Sequence, residues 1–201
     1  MIINYSALLN RVVELLIEPW PTWTKIHNEP DPGRELILRY SFLLALIPTF
    51  FGFLGEWIFQ GGFLFSLVRS LLWLSIFLGS LFLLGLLINS MSASFGSVQN
   101  ENSAFKLVAY ASTPVWISGF LTLIPKLIPI ALLTGFGYAG YLFYVGCQII
   151  IKTPKDKALK FSIISLTTWF VMMVTCATVA SQIALVIFLP ETVVEKLSQG
   201  H

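Results

Sequence analysis

Charged residues are scarce in this chain: they make up 11% of its 201 residues, against 56% hydrophobic residues. A soluble domain of this length needs many more charges to cover its surface, so the composition excludes an ordinary soluble protein. The net charge is only +2, and no basic stripe with interleaved aromatics occurs, which excludes nucleic acid as a partner. The mean hydropathy of +0.83 indicates a membrane protein instead.

Side chains suited to catalysis are equally scarce. The only histidines are His27, in a polar loop, and His201 at the last position, so no histidine-based triad or paired-histidine zinc site is available. Aspartate and glutamate are missing from the middle of every long apolar stretch, which removes the usual carboxylate relay of proton-coupled transporters. No Walker motif or dinucleotide fingerprint occurs. We therefore predict a protein without enzymatic activity, cofactor or metal.

The chain also has only two cysteines, Cys147 and Cys176. Both fall in apolar runs, at depths that differ by about 16 Å by helical rise, which is too far for a disulfide. We expect them to be small packing residues. Soft Cu(I) ligation by Met172, Met173 and Cys176 is the alternative, but consecutive methionines face different sides of a helix.

What the chain does have is five long apolar runs after residue 35. A bilayer core about 30 Å thick needs about 20 residues at 1.5 Å rise each, and every run is that long. The runs cover residues 36–59, 63–91, 104–124, 127–151 and 161–189. We predict an all-α polytopic membrane bundle of five transmembrane helices at 36–190, after a cytoplasmic segment at 1–35 and before a short tail at 191–201.

The basic residues predict the orientation of the bundle. Most lysines and arginines fall on one side of the predicted membrane, and the densest cluster, 152–160 (KTPKDKALK), separates the fourth and fifth runs. Cytoplasmic loops carry such an excess, so we expect the N-terminus in the cytoplasm and the C-terminus outside. The first residues lack the basic head and cleavage site of a signal peptide, so we expect the first apolar run to direct insertion.

Residues 5–17 have the spacing of a short amphipathic helix. Pro19 and Pro21 are expected to end this helix, and Trp20 and Trp23 to lie at the lipid headgroups, where tryptophan is enriched. We predict an interfacial helix that lies on the cytoplasmic face or packs against the bundle. A helix that binds a partner protein is the alternative.

The most suggestive polar group is Tyr110, Thr113 and Pro114, which share one helix face in the third run. Proline removes the hydrogen bond to the carbonyl of Tyr110, so a nearby hydroxyl must approach that oxygen. One interpretation is a structural kink with satisfied hydroxyls; the other is a gating hinge or ligand groove. We expect the third and fifth helices to enclose a small polar pocket here, reached from the cytoplasmic side.

Two further features concern packing and charge. Gly135, Gly137 and Gly140 in the fourth run allow close helix approach, either within the bundle or between two copies of the chain. Glu56 and Arg69 flank the turn between the first two runs. They either pair with each other or reach water independently.

The loop at residues 90–103 is rich in small polar residues, which predicts a flexible or turn-rich connection. It contains a Phe-Gly pair and leads into a Phe-Lys opening and a Tyr-Ala-x-x-Pro sequence. These positions are Phe95, Gly96, Phe105, Lys106, Tyr110, Ala111 and Pro114, with Pro125 closing the run. With WPTWTKI before the first run, and GYLFYVG and KTPKDKA around the end of the fourth, the chain resembles the Yip family (Ypt-interacting proteins) over nearly its whole length.

The resemblance implies a five-span membrane fold. Eukaryotic members bind Rab-type GTPases and act in vesicle traffic, helped by a long cytosolic N-terminal extension. Here the first run begins at residue 36, so a small GTPase partner is not expected, and the chain is more similar to bacterial inner-membrane members. The expected role is to organise membrane lipids or partner proteins, including a second copy of the chain. A carrier or channel for a small solute, with a pocket beside Pro114, is the alternative.

Overall fold

The computed structural model describes residues 5–30, 33–60 and 62–188, and all regular secondary structure in these ranges is helical. The helices are α1 (Tyr5–Ile17), α2 (Pro19–Asn28), α3 (Gly33–Leu36), α4 (Phe42–Gln60), α5 (Phe63–Ser92), α6 (Glu101–Ala111), α7 (Thr113–Ser118), α8 (Ile128–Ile150) and α9 (Lys155–Phe188). A π-helical turn joins α3 to α4 at Ile37–Ser41, and 3-10 turns lie at Ala93–Phe95, Gly119–Leu123 and Pro125–Leu127. The all-α class is confirmed. The tail at 191–201 lies outside the described residues.

Within the described ranges, four helical stretches are long and apolar enough to cross a membrane. They are Gly33–Phe59, Phe63–Phe95, Pro125–Ile150 and Lys155–Ile183. They match the first, second, fourth and fifth predicted runs, although α9 begins at Lys155 rather than at residue 161, because the polar turn before the apolar run is also helical. The third run is instead divided into α6, α7 and a 3-10 turn.

The divided segment lies in the centre of the bundle. Every residue from 104–116 is buried, with α5 and α8 packed against α6, and α4 and α8 against α7. Glycines allow the close approach: a Cβ added at Gly85 would lie 2.8 Å from the Phe105 ring, and one at Gly119 would lie 2.5 Å from Cβ of Pro48. A broken helix is tolerated at this place because protein surrounds its freed backbone groups.

α1 and α2 form an antiparallel hairpin packed on the bundle. Arg11 of α1 pairs with Glu29, just beyond α2, and Glu14 of α1 pairs with Lys25 of α2. Because 11 pairs with 29 and 14 with 25, the two helices must run in opposite directions. The C-terminal end of α1 is hydrogen-bonded to α8, because the hydroxyl of Tyr138 donates to the carbonyl of Leu16 at 2.6 Å.

The prolines and tryptophans of this hairpin differ from the sequence prediction. Pro19 is the first residue of α2 and Pro21 lies in its first turn, where a missing N–H costs no helical hydrogen bond. The chain is therefore helical through this region. Trp20 is 47% exposed, but Trp23 is fully buried, so its expected place among lipid headgroups is wrong. A Cβ added at Gly146 of α8 would lie 2.7 Å from the Trp23 ring, which shows how deeply the indole is inserted.

The two ends of the bundle differ in what covers them. We call them the capped end, after the N-terminal helices that cover it, and the cleft end, after a cleft described below. The capped end carries α1, α2 and the connections at 93–100 and 151–154. The cleft end carries the end of α4, the start of α5 and the 3-10 turns at 119–127. A Cβ added at Gly55, near the end of α4, would lie 2.5 Å from the carbonyl oxygen of Leu123, so the end of α4 and the 3-10 turns lie at the same end.

The connections at the capped end are hydrogen-bonded to each other. The N–H of Val98 donates to the carbonyl of Ile151 at 2.8 Å, and the hydroxyls of Ser97 and Thr153 lie 2.8 Å apart. Asn100 then caps α6 by accepting from a backbone N–H of its first turn. The loop expected to be flexible or turn-rich is thus turn-rich and bonded to its neighbour.

Candidate functional site

The predicted kink lies between α6 and α7. Pro114 lies in the first turn of α7 and, having no N–H, cannot donate to the carbonyl of Tyr110. The hydroxyl of Thr113 replaces that bond, since its Oγ1 donates to the Tyr110 carbonyl at 2.7 Å. A second oxygen, the hydroxyl of Tyr40, lies 2.7 Å from the same Oγ1. Because a threonine hydroxyl has one proton, Tyr40 must donate to Thr113.

Tyr40 reaches this position from the π-helical turn at Ile37–Ser41. A π-turn shifts the register of side chains within a continuous helix and often occurs at functional sites. The rings of Tyr40 and Tyr110 lie 4.7 Å apart, and Trp23 meets Tyr110 edge-on at 6.3 Å. Arg11 lies over the Tyr110 ring at 5.8 Å, a cation–π distance. We call Arg11, Trp23, Tyr40, Tyr110 and Thr113 the tyrosine cluster.

Charge in the tyrosine cluster is held by Arg11 and its partner Glu29, whose side chains are 20% and 29% exposed. Burial lowers the pKa of Arg11, but the hydrogen bond to Glu29 and the charge of that carboxylate outweigh burial and raise the pKa above its ordinary value. Arg11 therefore stays charged. Its Nη1 and the Nε1 of Trp23 are buried without hydrogen-bond partners.

Lys106 secures the other side of the hairpin. Its side chain is buried, and its ammonium donates to the carbonyl of Ile26 at 3.2 Å and to that of Glu29. These carbonyls lie at the C-terminus of α2, where helical carbonyls lack intrahelical partners and a cation is favourable. Lys106 thus caps α2 from α6 and fixes the hairpin to the centre of the bundle.

The structure brings two of the three predicted site residues together and separates the third. Tyr110 and Thr113 are buried in the tyrosine cluster, whereas Pro114 also lines a shallow surface cleft with Leu16 and Tyr138. The expected partner helix is wrong. The hydroxyl that reaches Thr113 comes from Tyr40 at the start of the first span, not from the fifth helix, because the π-turn rotates Tyr40 inward. Aromatic rings occupy the space predicted as a pocket.

The three predicted packing glycines of α8 face different surroundings. A Cβ added at Gly135 would lie 2.3 Å from the Ser118 hydroxyl, and one at Gly140 would lie 3.3 Å from Leu166 of α9. Both glycines thus serve contacts inside one copy of the chain. Gly137 faces open space.

Glu56 and Arg69 form an ion pair at the cleft end, with Arg69 Nη1 donating to a Glu56 carboxylate oxygen. The pairing alternative is therefore the correct one. The Glu56 side chain is only 10% exposed and that of Arg69 31%. Both line an apolar cleft between α4, α5, α8 and α9 with a volume of about 290 Å³.

Among the described residues, no group of three or more His, Cys, Asp or Glu side chains is arranged to hold a metal ion. Cys147 and Cys176 are both free thiols, and Cys147 is buried.

A family model described as the Yip1 domain matches residues 13–191 of this chain. The chain belongs to the Yip1 domain family. The resemblance found in the sequence motifs is thereby confirmed. With its apolar helices, family membership makes the chain an integral membrane protein.

Two relatives of this chain come from Escherichia coli. Inner membrane protein YohC of strain K12 is 26% identical over 149 residues, which cover 68% of this chain and 76% of that protein. The protein of the same name from strain O6:H1 matches with the same identity and coverage. No solved structure gives a significant match.

The motif positions of the Yip1 domain have clear structural roles here. Gly96 has a left-handed φ of 73° and ends the turn after α5. The ring of Phe105 packs against Gly85, where a side chain would clash with it, and Lys106 caps α2. Sequence reasoning did not find Tyr40, Arg11 or the capping role of Lys106. A possible signal for Tyr40 was its position beside Arg39 at the polar start of an otherwise apolar run.

Proposed function

We propose that this chain is a non-enzymatic membrane protein that crosses the bilayer five times and organises lipids or partner proteins within it. The N-terminus is cytoplasmic and the C-terminus outside. The names of the two Escherichia coli relatives support an inner membrane location. Segment 1–35 lies on the cytoplasmic side with its hairpin against the bundle, and residues 36–190 form the membrane domain.

The fifth crossing is supported by the two ends of the segment that contains it. The connection before α6 is hydrogen-bonded to the connection after α8, through Val98 and Ile151. α8 alone is long enough to cross, so the chain from 101 to 127 must travel the same distance in the opposite direction. Laid end to end, α6, α7 and the 3-10 turn have a rise of about 35 Å, enough for a bilayer core.

The observation that carries the organising role is the filled tyrosine cluster. A carrier of small solutes needs a polar cavity near mid-bilayer that opens to one face. At the predicted pocket, the rings of Tyr40 and Tyr110 instead pack against each other at 4.7 Å, and the hydroxyl of Thr113 is used within the protein. This packing favours an organiser over the alternative of a carrier or channel beside Pro114.

The proposal is tested by identifying what the protein holds in native membranes. The full chain is purified in mild detergent after crosslinking, and its lipids and proteins, including a second copy, are compared with those of an unrelated membrane protein. We expect reproducible enrichment of particular lipids or proteins, and no uptake of small solutes into vesicles that contain the purified chain. Uptake that depends on the chain, with no enrichment of lipid or protein, would contradict the proposal.

A further inference from the structure

The cleft that contains Glu56 and Arg69 is lined mostly by apolar side chains. Phe77 of α5, Phe136 of α8 and Phe170 of α9 line it. Leu132 and Val174 also line it, and these side chains are 43% and 49% exposed, so the cleft opens to the surroundings of the helices between α8 and α9. Its volume of about 290 Å³ is near the lower limit of small-molecule sites. That suits part of an acyl chain rather than a whole lipid.

One end of this cleft is polar and charged. Glu56 and Arg69 line it, and Arg69 lies about 12 Å along α5 from the level of Phe77. The Nη1 of Arg69 donates a hydrogen bond to Glu56, but its Nε is buried and has no hydrogen-bond partner. A buried donor of this kind calls for an acceptor that completes it. A guanidinium has five donors in a fork that matches phosphate oxygens.

We propose that the cleft binds a phospholipid of the surrounding bilayer, with one acyl chain in the apolar part and the phosphate on Arg69. This inference rests on the proposed function and names the lipid class that the protein organises. Lipid tails are as apolar as the cleft walls, so burial of the chain alone gives little preference for the site. Selectivity therefore comes from the phosphate, which accepts from the guanidinium of Arg69 while Nη1 stays bonded to Glu56.

The test uses photoactivatable lipids and the full chain in vesicles of phosphatidylethanolamine and phosphatidylglycerol. Three probes carry the same diazirine-labelled acyl chain: a phosphatidylethanolamine, a diacylglycerol and a free fatty acid. After illumination, the crosslinked residues are mapped by mass spectrometry. We expect the phospholipid to label cleft residues such as Trp73 and Met173 several-fold more than the other two probes do. Equal labelling by diacylglycerol, or stronger labelling by the fatty acid, would overturn the proposal.

Two variants on α9 separate the cleft from the general lipid-facing surface. Val174→Trp fills the opening, whereas Val171→Trp adds the same ring on the same helix at an exposed position outside the cleft lining. We expect Val174→Trp to reduce phospholipid labelling in the cleft several-fold and Val171→Trp to leave it unchanged. Equal effects of the two variants would show that the labelled lipid is not in the cleft.

The phosphate contact is tested by the double variant Glu56→Gln with Arg69→Gln, which removes both charges together and leaves no unpaired carboxylate. We expect its labelling to lose the preference for phospholipid over diacylglycerol, while Lys126→Gln, an exposed lysine at the same end, keeps it. Retained preference in a folded double variant would overturn the phosphate assignment. If the double variant does not fold, the two α9 variants and the three probes decide the proposal.

Failure of this site is distinguishable from failure of the proposed function. If lipids or proteins still copurify with the chain but the cleft is not labelled, the site is wrong and the organising role stands. If nothing copurifies and solute uptake appears, the organising role is wrong as well.

Discussion

The capped end and the cleft end each hold a half-buried arginine that has one buried, unpartnered nitrogen, yet their surroundings differ. At the capped end, Arg11 lies against the rings of the tyrosine cluster, and the hairpin fills the space around it. At the cleft end, Arg69 lines a cleft of about 290 Å³. The same side chain therefore holds an internal element in place at one end and faces space for a ligand at the other.

The difference follows from what covers each end. The capped end is covered by part of the same chain, since Trp23 inserts beside Gly146 and Lys106 caps α2. At the cleft end, residues of α4, α5, α8 and α9 line an open cleft instead. A mutation at the capped end should thus act on stability, and one at the cleft end should also act on lipid binding.

The largest effect is expected from breaking the cleft-end ion pair. Arg69→Met leaves Glu56, 10% exposed, without its partner, so the free energy of unfolding should fall by about 3 kcal/mol. Lys25→Met is the matched control at the capped end, where the pair with Glu14 is 57% and 39% exposed and is worth less than about 1 kcal/mol. Denaturant unfolding in mild detergent measures both. Equal losses in the free energy of unfolding would contradict a larger contribution from the more buried ion pair.

Overpacking beneath the hairpin is expected to have the next largest effect. Gly146→Leu drives a side chain into Trp23 and Leu107, whose atoms would lie 2.7 and 2.6 Å from the new Cβ, and should cost about 2 kcal/mol. Gly137→Leu places the same side chain on the same helix in open space and should be nearly neutral. Protease cleavage of segment 5–28 should increase only in the Gly146 variant. Equal protection in both would argue against hairpin packing at Gly146.

A smaller effect is expected within the tyrosine cluster. Thr113→Val keeps the shape of the side chain but leaves the Tyr40 hydroxyl and the Tyr110 carbonyl without their shared partner, at a cost of about 1–2 kcal/mol. Thr134→Val removes a hydroxyl that bonds only within α8 at an exposed position and should cost little. The thermal midpoint compares the two variants. A neutral Thr113→Val would show that these hydrogen bonds add no net stability.

The sequence predicts the long helices well because apolar runs of this length have few alternatives in a bilayer. α1 occupies the expected residues 5–17 because its apolar spacing is regular. Other features depend on contacts far apart in the chain. The position of Tyr40 depends on a π-turn, and the burial of Trp23 depends on a glycine more than a hundred residues later, so local patterns carry little information about either.

The candidate site was predicted in part for the same reason. The bond from Thr113 to the Tyr110 carbonyl is local and follows from the missing N–H of Pro114. The choice of neighbouring helix is not local, and hydroxyl-rich composition in the fifth run was a misleading guide to it. The cleft beside Arg69 is formed by four helices, and no single segment of sequence indicates its volume.

The crossing of the divided third segment is tested most directly by cysteine labelling from one side of the membrane. Single cysteines replace Val98, Lys126 and Lys155, all exposed, in a chain whose Cys147 and Cys176 are changed to alanine. Five crossings predict that an impermeant reagent added outside labels position 126 and leaves 98 and 155 unlabelled until the membrane is opened. Labelling of position 126 only from the side that also labels position 98 would contradict the fifth crossing.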